Sequence, residues 1–187
     1  MFALMLVLML DGNVWVAVGQ STEVAKESSM SVFTIGSPAF HHNEPIPARF
    51  TCSGEDVSPM IGWSGAPKEA KTFALICDDP DAPSGTWVHW VIYNIPASAT
   101  QLPEGLSKTD VVSAAGNAKQ GVNDFRKVGY GGPCPPQGHG VHHYHFKLYA
   151  LDKELNLRPG ATKRQLEDAM RGHVVAQAEL IGTFERR

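Results

Sequence analysis

The chain lacks what several large classes of protein require. It carries 16 Lys and Arg against 19 Asp and Glu, a formal net charge of −3, so there is no basic surplus to hold a phosphate backbone. Nucleic acid is therefore excluded as the main partner. No run of basic residues is present to attach the chain to an anionic lipid surface. Cysteine occurs three times, at Cys52, Cys77 and Cys134, too few for a disulfide-built scaffold and with no structural-zinc spacing. The apolar run MFALMLVLML at 1–10 is too short to cross a bilayer as a helix, so no transmembrane segment is predicted. Internal repeats and low-complexity tracts are absent. What is present is 187 residues, 43% hydrophobic and 19% charged, the make-up of a globular chain with one substantial core.

Residues 1–30 read as a segment apart from a domain over 31–187. Two readings fit them. The apolar run could be the core of a secretory signal, with Ala17 and Gly19 as small residues before a cut. That reading places the protein in the periplasm or outside the cell. Against it, no Lys or Arg precedes the run, and Asp11 interrupts it early. The preferred reading is an over-long start, with Met30 opening the natural chain and a cytoplasmic location.

From residue 31 the pattern is strands joined by Gly/Pro-rich loops. KTFALICDD has a compact apolar run, Phe73 to Cys77, that ends in acids, as a buried strand emerging into a site would. TWVHWVIYNIP alternates: Trp87, His89, Val91 and Tyr93 fall on one face, Val88, Trp90 and Ile92 on the other. Both faces are mostly apolar, so His89 is predicted to be buried and to need a partner. In VHHYHFKLYAL, His142, Tyr144, Phe146 and Leu148 share the apolar face, while His143, His145 and Lys147 share the wetter one. The four histidines at 139, 142, 143 and 145 are thus not one cluster. One helix is signalled by the capping box Thr162 to Gln165 before Leu166, Ala169 and Met170, with Gly172 as its stop. A last strand follows in VVAQAELIGTF. The aperiodic stretch from Pro103 to Gly140 is long enough to be functional in itself.

The chemistry gathers where these elements end. Asp79 and Asp81 sit on a turn stiffened by Pro80 and Pro83, with His89 beginning the returning strand. A dehalogenase-type phosphatase also has a strand followed by Asp-x-Asp, but Pro83 stands where its Thr or Val belongs. A glycosidase needs two carboxylates about 5–9 Å apart across a cleft, which neighbours in one turn do not provide. No three-residue zinc set has familiar spacing, and no metal or other cofactor is predicted. Histidines, a tyrosine hydroxyl and loop N–H groups suit a rigid anion pocket instead. In it, Asp79 or Asp81 is expected to orient His89 and favour its charged form.

Together DDPDAPSGTWVHWVIYNIP, GVNDF, GYGGPCPP and VHHYHFKLYALD resemble the phosphatidylethanolamine-binding protein family, nearest its bacterial, Raf kinase inhibitor-like branch. The resemblance implies an antiparallel Greek-key β-sandwich with a few short peripheral helices. It implies an anion pocket of Asp79, Asp81, His89, Trp90, Gly132, Pro133, Pro135, His142 and Tyr144. His139, His143 and His145 have no counterpart in it and are expected at the surface or rim. Arg126 stands where the family usually has Gly after NDF. The implied function is non-enzymatic binding of a small phosphate-like anion, a phospholipid headgroup or a phosphorylated group, with a kinase or protease as the regulated partner and a homodimer as the assembly. The alternative is a weak hydrolase with His89 as base, oriented by Asp79 or Asp81.

Overall fold

The computed structural model describes residues 32–187; the two readings of the first thirty residues concern a segment outside the described residues. The described chain is mainly strand. In order run β1 (Thr34–Gly36), β2 (Glu44–Pro45), β3 (Ile61–Ser64), β4 (Thr72–Asp79), β5 (Trp87–Pro96), β6 (Gln101–Leu102), β7 (Val111–Val112) and β8 (Ala118–Gln120). Then come β9 (Val141–Leu151), the helix α1 (Lys163–Met170) and β10 (Val174–Glu185). Two short 3-10 turns, Ala48–Phe50 and Ser113–Ala115, complete the helical content.

The strands form a small sheet, β1-β3-β6, and a large one, β2-β10-β9-β4-β5-β8-β7. Within the large sheet the spatial order β9-β4-β5-β8 is the fourth-first-second-third order of a Greek key, as β9 returns beside β4 after a long excursion. Pairing is antiparallel with one exception, β2 with β10. There the two-residue β2 is held by Asn43 N–H donating to the Ile181 carbonyl and Ile46 N–H to that of Thr183. The close approach depends on Gly182, where a Cβ would come within 2.5 Å of Ile46 Cγ1.

Two cores explain why β4 is buried on both faces. Phe73, Leu75 and Cys77 join Ile61, Trp63, Ile92, Phe146 and Leu148 between the sheets. The alternate residues Ala74 and Ile76 join Val91, Tyr93, Leu166 and Met170 beneath α1. The helix begins as its sequence signals: Thr162 Oγ1 accepts from Gln165 N–H, and Gln165 Oε1 accepts from Thr162 N–H. It is tethered to the sheet by Asp78, fully buried on the helix side, which pairs with Lys147 at 2.8 Å and with Lys163 in the first turn. The two lysines keep about a quarter of their side chains in water, so they can resolvate if the carboxylate is lost. Asp78→Ala is accordingly expected to cost roughly 2 kcal/mol, less than stranding a buried charge would. Urea denaturation measures it, and a loss within error of zero would show that the helix is held by packing alone.

Candidate functional site

A β-bulge creates the site. Between the pairs Cys77↔Trp90 and Asp78↔Val88, β5 advances two residues while β4 advances one. The extra residue is His89. A bulge re-aims side chains that strict alternation would place elsewhere. Val88 and Val91 both join the core beneath α1, while His89 packs edge-on against Phe125 and Tyr144 at ring distances of 5.4 and 5.1 Å. This corrects the expectation that His89 shares a face with Val91 and Tyr93. The GVNDF loop fixes the irregularity, because Asp124 Oδ2 accepts from Val88 N–H at 2.7 Å and Asp124 N–H donates to the Val88 carbonyl.

His89 is 2% exposed, and its Nδ1 lies 2.7 Å from the Gly131 carbonyl oxygen. A carbonyl only accepts, so Nδ1 carries the proton and the neutral ring has its lone pair on Nε2. Burial pushes the pKa of His89 below its ordinary value, outweighing the opposing effects of the Gly131 carbonyl and of Asp79. The expectation that Asp79 or Asp81 orients His89 is therefore corrected, since the Gly131 carbonyl does so; Asp79 does favour the charged form, but burial outweighs it. The aspartate-held histidine on which the hydrolase alternative rests is thus a carbonyl-held one.

Asp79 turns to β9 instead. Its Oδ2 accepts from His142 Nδ1 at 2.7 Å, with both side chains almost fully buried. Its Oδ1 accepts from Asp81 N–H at 2.8 Å. Asp81 points away, with Oδ2 taking both N–H and Nδ1–H of His143 at 2.8 and 2.7 Å. Partial burial opposes ionisation of Asp81, but the bonds from His143 prevail and hold its pKa below the usual carboxylate value. His143, expected as a bystander, thus fixes the turn that aims Asp79. His139 also enters, with Nδ1 2.8 Å from His142 Nε2.

The GGPCPP segment closes the wall. Gly131 N–H donates to the His89 carbonyl, Gly132 N–H to Asp56 Oδ1 at 2.6 Å, and Cys52 N–H to the Pro133 carbonyl. A disulfide joins Cys52 to Cys134, with Cα atoms 5.4 Å apart. Cysteine count and spacing gave no sign of it, since residues 82 apart meet only in the fold. Arg126 adopts φ 61°, the left-handed backbone that favours the Gly expected there.

The result is a hollow of about 190 Å³ lined by Asp79, Trp87, His89, Phe125, Pro135 and His142, together with Cys134, Pro136 and the 82–84 turn. Four of the nine residues read from the sequence, Asp79, His89, Pro135 and His142, line it. Tyr144 stands behind His89. Asp81, Gly132 and Pro133 hold the lining residues from outside. Trp90 is elsewhere: its Nε1 donates to Gln120 Oε1 at 2.8 Å and its ring packs on Tyr130 within the core. Trp87 and Phe125 were missed as lining residues, although both lie in quoted motifs, because an isolated aromatic at a strand or loop end carries no periodic signal. Two buried donors here, Trp87 Nε1 and Tyr144 Oη, have no hydrogen-bond partner in the protein. Burial pushes the Tyr144 hydroxyl pKa up, so it keeps its proton. Among the described residues no group of three or more His, Cys, Asp or Glu could hold a metal ion.

Fold and hollow together define a β-sandwich with a small, histidine-lined pocket at one end of the large sheet. The family model for phosphatidylethanolamine-binding protein matches residues 36–185, and the chain belongs to that family. It is 52% identical over 151 residues to the UPF0098 protein PH1269 of Pyrococcus horikoshii, covering 81% of this chain and 76% of that one. Among solved structures it resembles the family homologue CT736 of Chlamydia trachomatis, at 39% identity and TM-score 0.74 over 84% of this chain and 99% of the other. It also resembles YbcL of E. coli, described as a member of the mammalian family, at 32% identity and TM-score 0.76 over 83% and 99%.

Proposed function

We propose that the protein is a binding protein, not an enzyme, and that its pocket takes the phosphate-like anion of a small ligand or of a phosphorylated group. The observation that carries this reading is Trp87 Nε1–H, a buried donor of a lining residue with no acceptor in the protein; Tyr144 O–H, behind His89, is likewise unpaired. An unsatisfied buried donor costs about 1–3 kcal/mol, a cost that an oxyanion ligand removes. Nothing in the pocket completes a catalytic set: His89 is oriented by a carbonyl, and His142 has no nucleophile bonded to it. The Cys52–Cys134 disulfide fits an oxidising compartment and supports the exported reading of the chain over the cytoplasmic one.

The neutral His89 offers a lone pair at Nε2, so an oxyanion bonds it only if one more proton is present. That proton sits on the imidazole or on the phosphate, whose ester form has its second pKa near 6. Either way the complex holds a proton that the separate partners lack at high pH, so affinity falls as pH rises. Calorimetry with methyl phosphate is expected to give binding roughly tenfold or more tighter at pH 5.5 than at pH 8. His89→Ala should lose more than about tenfold at pH 5.5. His142→Ala should lose less, because His139 already occupies Nε2 of His142 and must yield it to a ligand. Affinity that increases with pH would overturn the reading.

A further inference from the structure

A second hollow of about 200 Å³ adjoins the first. Phe125 and Cys134 line both, so one aromatic ring and one disulfide form the ridge between them. On the far side the walls are Tyr130, Gly131, Gly132 and Asn123, and the mouth carries Asp56, Lys108 and Lys127. Most of these polar groups are committed within the protein. Asn123 Nδ2 donates to the Gly129 carbonyl and Tyr130 Oη to that of Phe50. Asp56 gives Oδ1 to Gly132 N–H and Oδ2 to Lys108 Nζ at 2.7 Å. The mouth thus carries one carboxylate and two ammonium groups, and the carboxylate's charge is matched by Lys108. Lys127 is exposed at the same mouth, with no carboxylate within salt-bridge distance among the described residues. The mouth has one positive charge in excess, and its carboxylate is already held by Gly132 N–H and Lys108 Nζ.

We infer that this hollow is the second compartment of a two-part site, and that the ligand bears two anionic groups joined by a short apolar spacer. One group sits against His89 in the first pocket. The spacer crosses the Phe125–Cys134 ridge, and the second group meets Lys127 and Lys108. The inference rests on the anion reading of the first pocket and deepens it by naming the ligand class. Two linked groups that reach both compartments bind as one molecule, so the second group gains from effective concentration without a new loss of overall freedom. Spacer length is decisive, because a linker too short to cross the ridge gains nothing.

Calorimetry at pH 5.5 with methylphosphonate and with α,ω-alkane bisphosphonates of two to six carbons tests this. At least one bisphosphonate is expected to bind more than tenfold tighter than methylphosphonate, with an optimum in spacer length. In Lys127→Glu that advantage should fall below about twofold, and Lys108→Ala should reduce it as well. Lys127 is exposed and has no partner, so its substitution leaves the fold intact, which a thermal melt checks directly. Bisphosphonates no tighter than methylphosphonate at any length would overturn the second compartment while the first pocket stands. An advantage that survives Lys127→Glu and Lys108→Ala together would also overturn it. Failure of methylphosphonate itself to bind would overturn the anion reading, and the two-part site with it.

Discussion

Reducing the Cys52–Cys134 disulfide is expected to lower the melting temperature by roughly 10–20 °C. The bond closes a loop between residues 82 apart, for which the chain-entropy account gives about 4–5 kcal/mol. At about 2–4 °C per kcal/mol for a chain of this size, that sum sets the shift. The segment it ties keeps two other anchors, Gly132 N–H on Asp56 and Cys52 N–H on the Pro133 carbonyl. The reduced protein should therefore remain folded below its lowered transition. Cys134 also belongs to the walls of both hollows, so loosening it should weaken anion binding as well. Scanning calorimetry with and without reductant, and on Cys52→Ala with Cys134→Ala, checks the stability. A transition unmoved by reduction would mean that the hydrogen bonds alone hold the segment.

Asp79→Ala is expected to destabilise the protein by about 3 kcal/mol, a consequence of stranded donors. His142 Nδ1–H, in a side chain 1% exposed, and Asp81 N–H both lose their acceptor. Removing His142 as well should recover part of the loss, because the double variant leaves fewer buried groups unpaired. A double-mutant cycle over Asp79→Ala and His142→Ala should give a coupling of about 1 kcal/mol or more, in the range seen for residues that share one hydrogen-bond network. Strict additivity would show that the two side chains are neighbours without being partners. His143→Ala should reproduce a fraction of the Asp79 effect, since it acts on Asp79 only through the Asp81 turn.

Much of the architecture was legible from residue order. The apolar run of β4, the alternation of β9 and the capping box of α1 are local signals, each set by a period or a fixed spacing within one element. The structure follows all three. The face assigned to His89 failed for an equally local reason seen from the other side. A bulge shifts the period by one residue, and the residues of β5 alone do not mark where it falls; the pairing with β4 and the clasp of Asp124 on Val88 do. Trp90 was assigned to the pocket by resemblance of motif, but the same bulge that frees His89 leaves Trp90 in the inter-sheet core, bonded to Gln120.

By itself the sequence determined the class of fold, the family, the absence of a basic surplus and the set of loops in which the site residues lie. These follow from composition, periodicity and motif, which are properties of the chain read in order. Only the tertiary structure decided which partner each residue has. His89 takes the Gly131 carbonyl rather than an aspartate, Asp79 takes His142, Asp81 takes His143, and Cys52 takes Cys134. The physical reason is that hydrogen bonds and disulfides are short-ranged and directional. Their choice among several chemically suitable partners is made by ångström-scale positions that strand register, one bulge and one loop closure set together.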